Sequence, residues 1–175
     1  MKCLAIGGEP ATGKTTLMRE IMRNYQTSQR LKYGKLYGHL EARSNVAVLG
    51  VYDGQGKFQG TDRLSMAVNK DFLDYASKGK RNLLFEGDRL FSASNLRYLS
   101  TLYQMRIIIL EQGEGELTRR HEARGDTQSD KFLKGRKTKI NNIKEEFAGI
   151  FEPFRLNEIS DTVSLSTEIW DWIAT

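Results

Sequence analysis

Apolar residues fall in short runs separated by polar, glycine-rich stretches, and the runs alternate between strand and helix character. Residues 2–7 predict a short buried strand, followed by a glycine-rich loop and a helix from about Gly13 to Tyr25. Leu36 to Tyr52 predicts two strands with a turn near Arg43-Ser44-Asn45. The second of them, Val46-Ala47-Val48-Leu49, is built from strand formers. A polar loop over 53–63 precedes a helix at roughly 64–78, with Leu64, Val68, Phe72 and Ala76 at helical spacing. Asn82 to Glu86 predicts another buried strand, and 92–103 a helix opened by Ser92 or Ser94. Met105 to Leu110 predicts a third buried strand. Helices near 115–124 and 130–147 follow, the second with an apolar stripe of Ile140, Ile143, Phe147 and Ile150. Thr162 to Leu165 is expected to form a last short strand before a C-terminal helix carrying Trp170 and Ile173. Strands alternating with helices imply an α/β fold with a mostly parallel sheet covered on both faces.

Composition sets the class. The chain has 175 residues, 39% apolar and 28% charged, which is ordinary for one globular domain. No apolar run approaches the roughly 18 residues of a membrane span, and the opening run Met1–Gly8 is too short for a secretory signal. Cys3 is the only cysteine, so no internal disulfide forms, and a reducing cytoplasmic setting is expected. The net charge of +5 has one source. Residues 119–139 hold eight Lys or Arg against three acids, leaving the rest of the chain neutral. A basic focus on a balanced body points to one place where polyanions are handled, or to a solvated charged helix.

Gly8-Glu9-Pro10-Ala11-Thr12-Gly13-Lys14-Thr15, with Thr16 behind it, fits the phosphate-loop pattern at every specified position. It follows a predicted strand and opens a predicted helix, as its chemistry requires. Loop amides and the helix N-terminus cradle nucleotide phosphates. Lys14 is expected at the β- and γ-phosphates, and Thr15 at Mg²⁺. The cofactors implied are ATP and Mg²⁺, in a P-loop NTPase fold of the kinase type spanning 1–175 as one domain.

Glu86, Asp88 and Arg89 follow a buried strand, and open α/β sheets bind ligands at strand carboxyl ends. Two carboxylates and an arginine are therefore expected to face the transferring phosphate. One would orient Mg²⁺ through water and one would accept a proton from a hydroxyl acceptor; Glu86 is the candidate base and also a candidate at Mg²⁺, Asp88 a helper at Mg²⁺ or the acceptor, and the two roles stay open between them. A basic helical lid is expected over about 113–139, with Arg120 and Arg124 on one helix face to meet charge developing during transfer. Arg120 also counts among the residues expected at ATP. The stretch 36–65 is the candidate acceptor region.

Phe85-Glu86 with Phe91-Ser92-Ala93-Ser94-Asn95-Leu96 resembles deoxynucleoside kinases, where a strand-end Glu is the base for a sugar hydroxyl. Asp88-Arg89 resembles the Asp-Arg pair of thymidylate kinases. Gly87, which separates Glu86 from that pair, departs from both. Taken whole, the chain resembles bacteriophage P-loop kinases acting on 5-hydroxymethyluracil in DNA during thymine hypermodification. This resemblance rests on Ala5 to Thr16, Phe58 to Val68 and Leu84 to Arg89. It implies phosphorylation of the base's hydroxymethyl group in polymeric DNA, in the host cytoplasm. Phe58, Thr61, Asp62, Arg63 and Arg89, with Tyr52 beside them, are the candidates to hold the acceptor. A kinase for free deoxynucleoside monophosphates or nucleosides, and a P-loop ATPase switch, remain alternatives. Oligomeric state is not legible.

Overall fold

The computed structural model describes residues 1–23, 28–41, 43–53, 59–123, 125 and 129–175. Seven strands of the described residues form one sheet: β1 (Lys2–Gly8), β2 (Ser28–Tyr33), β3 (Leu36–Glu41), β4 (Val46–Leu49), β5 (Asn82–Glu86), β6 (Gln104–Glu111) and β7 (Phe151–Arg155). Their order is β2-β3-β4-β5-β1-β6-β7. The five from β4 to β7 run parallel, while β2 and β3 add antiparallel at one edge.

Among the described residues six α-helices flank the sheet: α1 (Lys14–Met22), α2 (Asn69–Ser77), α3 (Ala93–Ser100), α4 (Glu114–Ala123), α5 (Asp130–Glu146) and α6 (Ile159–Ala174). Successive strand residues point to opposite faces, and the core divides accordingly. Cys3, Ala5, Leu83, Phe85, Ile107 and Ile109 pack under α2, α3 and α5. Leu4, Ile6, Leu84, Ile108 and Leu110 pack under α1 and α6. Central strands buried on both faces are why residues 83–85 and 107–110 read as continuous apolar runs.

Several boundaries differ from the sequence expectation. The first helix ends at Met22, before Asn24–Thr27, which lie outside the described residues with the expected end at Tyr25. The helix expected from 64 begins at Asn69. Leu64 and Val68 are buried all the same, from a short turn of 3-10 helix at Thr61–Arg63 and the connection after it. Thr162–Leu165 is no strand. It lies inside α6, where Thr162, Leu165, Ser166, Ile169 and Ile173 make a helical stripe of buried positions. The last strand is instead Phe151–Arg155. Pro153 argues against a central strand, but β7 is an edge strand, where a missing N–H is tolerated. Ile150 is exposed, beyond the end of the α5 stripe, whereas Ile140, Ile143 and Phe147 are buried.

Candidate functional site

β1 delivers the chain to α1 on one face, while β5 delivers it to α3 on the other. Connections that diverge this way open a crevice at the carboxyl ends of the strands. The Gly8–Thr15 loop and the Glu86–Arg89 turn both border it, because β1 and β5 are hydrogen-bonded neighbours with Ile6 opposite Glu86.

The loop's shape follows from its sequence. Gly8 has φ +143°, and a Cβ there would stand 2.5 Å from the Leu110 carbonyl oxygen. Ala11 takes a left-handed φ of 65°, rare for a residue with a Cβ. Thr12 is buried and closes the turn by donating to the Glu9 carbonyl at 2.9 Å. Glu9 and Pro10 are half-buried and Ala11 buried. Gly13 begins α1 without a side-chain cap, so the helix N-terminus faces the crevice uncovered by its own sequence. Lys14 Nζ donates to the carbonyls of Gly8 and Glu9, at 2.8 Å each. Thr16, exposed on α1, is the loop's outermost position.

Thr15 Oγ1 donates to Glu86 Oε1 at 3.3 Å, joining the loop to the acidic strand end. Glu86 is only 2% exposed. Burial pushes its carboxyl up to about 7; Lys14 and the Thr15 hydrogen bond pull it down, while Asp62 and Asp88 push it further up. Two groups from the 59–63 segment fix it in place. Thr61, fully buried, donates from Oγ1 to the Glu86 carbonyl at 2.6 Å. Gly60, with φ +71°, lies so close that a Cβ would stand 2.3 Å from Glu86 Oε1. Gly60 carried no motif, and only its place before Thr61-Asp62-Arg63 hints at its role.

Asp62 is exposed as a residue, yet desolvation of its carboxyl and the neighbouring Asp88 raise its pKa, against Lys14 and Arg89. Arg89 Nη2 reaches the Asp62 carbonyl at 3.4 Å and Nη1 the sulfur of Met66, while its Nε is buried without a partner. Arg63 turns away to Asp53, donating to its carbonyl at 2.9 Å. Phe58 and Arg124 lie outside the described residues. Of the 36–65 stretch, 36–41 and 46–49 are strands of the sheet, and 59–63 is the part at the crevice.

The basic segment lies down on this site and is largely compensated. Arg120 donates to the carbonyls of Ala11 at 3.3 Å and Leu156 at 3.0 Å, and its Nε to Glu116 at 2.6 Å. Asp88 makes ion pairs with Arg136 (3.0 Å) and Lys139 (3.2 Å) of α5. Lys137 pairs with Glu114 and Arg119 with Glu116, on the surface. Sequence spacing gave no sign that Lys139 meets Asp88, 51 residues away, or that a backbone carbonyl, Leu156, receives Arg120. A cavity of about 350 Å³ lies beside Glu9, roofed by Leu117 and His121 of α4 and walled by Leu133 and Asn141 of α5. Lys14, Thr15, Glu86 and Asp88 do not line it, so this cavity and the cluster of reactive groups are different places.

No protein-family model matches the chain, and no curated protein matches it either. Among the described residues no helix is long and apolar enough to cross a membrane.

Proposed function

We propose that the chain is an ATP-dependent kinase of the P-loop NTPase fold that transfers the γ-phosphoryl group to the hydroxymethyl group of 5-hydroxymethyluracil in DNA. The observation that carries the kinase reading is the 3.3 Å contact between Thr15 and the buried Glu86, made beside Lys14. It joins the phosphate-loop motif of one strand to an acid of the next.

The crevice suits a nucleotide triphosphate. Around Gly13 a Cβ would find only Leu156 at 3.5 Å and Arg120 at 3.9 Å, which leaves room over the uncapped first turn of α1. Lys14 would hold the β- and γ-phosphates, exchanging its two carbonyl partners for them. Thr15 would offer a hydroxyl oxygen to Mg²⁺ and Glu86 would orient the ion through water, which leaves a carboxylate oxygen for the acceptor's proton. No cluster of three or more acidic, histidine or cysteine side chains that could hold a metal occurs among the described residues. That fits an ion bound through one or two protein oxygens plus substrate phosphates. Mg²⁺ supplies charge neutralisation when bound.

A carboxyl near 7 suits a general base, because a poised pKa leaves a basic oxygen at neutral pH. An alcohol acceptor needs such a base more than a phosphate acceptor does. Arg120, held over the loop at the Ala11 carbonyl, is placed for charge that develops during transfer. The acceptor assignment rests on that alcohol chemistry together with the resemblance carried by Phe58–Val68 and Leu84–Arg89.

One observation favours a second reading, a kinase for free nucleosides or nucleotides. Arg119, Arg120, Arg136, Lys137 and Lys139 all hold acidic partners within the chain. Less of the segment's charge is then left for a DNA backbone. The test is transfer of labelled γ-phosphate to hydroxymethyluracil DNA, thymine DNA, free hydroxymethyl-deoxyuridine and its monophosphate. Label in the modified DNA is the expected result. Label only in a free compound moves the assignment to the second reading, and release of phosphate with no labelled acceptor leaves the ATPase switch.

A further inference from the structure

We propose that the face of β2 and β3 turned away from α2, carrying Arg30, Lys32, Tyr37 and His39, is the surface over which a single-stranded stretch of DNA reaches Glu86. The inference rests on the DNA-acceptor reading above and adds where the nucleotides flanking the target base are held.

The face is defined by register. Arg30 stands opposite His39 and Lys32 opposite Tyr37, and side chains alternate between the two faces of a strand. Leu31 and Leu36 go to the other face, buried in one cluster with Phe72 and Ala76 of α2. On the near face the apolar cluster under α1 and α6 stops at Val46, Val48 and Tyr52 and takes in no residue of β2 or β3. The Arg30 side chain is 86% exposed and Tyr37 41%. Lys32 is exposed and His39 half-buried.

The chemistry of this face suits a polynucleotide. Each cross-strand pair sets a cation beside a ring, Arg30 by His39 and Lys32 by Tyr37, with Lys32 Nζ 5.7 Å from the Tyr37 ring centre. Tyr37 and His39 are two residues apart on one strand, hence separated by about 6.8 Å. That is twice the rise of about 3.4 Å between stacked bases, a spacing that takes splayed bases on the rings and phosphates on the cations. The nearby acids are spent. Asp53 is shared by Arg30 and Arg63, at 3.5 Å each, and the Glu41 carboxylate accepts from the amides of Arg43 and Ser44. Lys32 pairs with no acid among the described residues. Stacking on rings calls for unpaired bases, which also suits a target atom that a duplex would hide.

The face leads to the reacting end of the crevice. The His39 and Tyr52 rings lie 6.4 Å apart. A Cβ on Gly60 would stand 3.0 Å from Tyr52 Oη and 2.3 Å from Glu86 Oε1, so Tyr52 and Glu86 flank the same glycine. In the sheet β2 is the third strand out from β5, about 14 Å away at ordinary strand spacing. A ligand that touches both Glu86 and Lys32 is therefore longer than one nucleotide, and a free mononucleotide in the crevice leaves the face empty. Such a track does not draw on residues 119–139, whose Arg119, Arg120, Arg136, Lys137 and Lys139 are paired within the chain.

Binding is measured on the full chain without ATP, by fluorescence anisotropy of a short labelled single strand containing one 5-hydroxymethyluracil, at several salt concentrations. Lys32→Gln should weaken binding and flatten the slope of log affinity against log salt by about 0.7, and the Arg30→Gln, Lys32→Gln double variant by about 1.4. Tyr37→Leu should weaken binding about tenfold at unchanged slope, while Tyr37→Phe keeps the ring and the affinity. Lys137→Gln, in the basic segment, should leave the slope as it is. No binding by the wild-type chain, a wild-type slope in the double variant, or a slope that moves with Lys137 instead of Lys32 overturns the surface. Tyr37→Phe as weak as Tyr37→Leu, or a duplex of the same sequence bound as tightly as the strand, overturns the single-stranded occupant. A changed oligomeric state with unchanged DNA affinity makes the face an interface between copies and overturns the proposal as well.

In turnover, Lys32→Gln and Tyr37→Leu should each raise KM for the strand about tenfold, with KM for ATP and for free hydroxymethyl-deoxyuridine unchanged. An equal loss with the free nucleoside assigns these residues to the crevice or the fold and overturns the track. The two readings fail separately. If the wild-type chain labels no acceptor while strand binding still depends on Lys32 and Tyr37, the kinase reading fails and the surface stands. If both variants label hydroxymethyluracil DNA with the wild-type KM, the surface fails and the kinase reading stands.

Discussion

Glu86→Gln is expected to make the protein more stable and almost inactive, and the two effects have one cause. In the nucleotide-free, metal-free protein the Glu86 carboxyl is moved from 4.5 to about 7, chiefly by burial. At roughly 1.36 kcal/mol per unit, that shift amounts to about 3 kcal/mol. The sign follows from proton counting. Between about 4.5 and 7 the folded chain holds a proton on Glu86 that the unfolded chain has released, so stability falls as pH rises through this window and levels off above it. Glutamine fills the same space and keeps an oxygen for the Thr15 hydroxyl, without a charge to bury. The measurement is urea unfolding of both proteins in chelator at several values between about pH 5 and 8, plotted as the difference in unfolding free energy. Other titrations cancel in that difference. It should grow with pH in favour of the variant and reach about 1–3 kcal/mol above neutrality, while phosphoryl transfer falls about 10²–10⁴-fold. A difference that stays flat from pH 5 to 8 would show that Glu86 ionises like an exposed acid. Its placement as a poised base would then be wrong.

Two further outcomes follow from the loop and the basic segment. Lys14→Ala should leave a cooperatively folding protein, checked by thermal melting, and lower transfer about 10²–10³-fold by removing a preorganised charge. A folded variant with near-native turnover would refute the nucleotide site. Arg120→Ala should lower kcat roughly tenfold or more while KM for ATP changes little, because the charge it meets develops in the transition state. A change confined to KM would make Arg120 a ground-state nucleotide contact instead.

Much of the sheet was legible because its parallel strands are buried on both faces. Ile107, Ile108 and Ile109 and the run Leu83-Leu84-Phe85 leave no polar face to confuse the period. The Gly8–Thr15 loop was legible as a strand-to-helix turn because its glycines stand between a buried apolar run and a helix pattern. What escaped was set by tertiary context. β2 and β7 are edge strands, with Arg30 and Lys32 in one and Pro153 in the other, and their pattern is too weak to separate from loop. Thr162–Leu165 has the β-branched content of a strand, but α6 needs those positions to cover Leu4, Ile6 and Leu84. The basic segment was visible as charge, but its partners were not. Lys139 reaches Asp88 and Arg106 reaches Glu152 across 51 and 46 residues, and no local pattern encodes such pairs.

Those long-range contacts explain how a buried acid can be kept where it is costly. A carboxylate that loses water would ordinarily turn outward or draw in a partner. Glu86 can do neither easily. Its main-chain oxygen is tied to Thr61, its carboxylate touches Thr15, and Gly60 lies so close that any side chain there would run into Oε1. The 59–61 segment is itself anchored by paired backbone hydrogen bonds between Gly60 and Val51, at 2.8 and 3.0 Å. Below it Leu84, Phe85 and Ile6 are completely buried, so the strand cannot shift to relieve the strain. The stability of the apolar sheet therefore holds a poised oxygen at the head of β5. In the proposed reaction such a fixed oxygen would meet the acceptor hydroxyl without having to be oriented at the moment of transfer. The same fixity makes Glu86 a source of instability in the nucleotide-free, metal-free protein, where Lys14 offsets only part of the cost of burial.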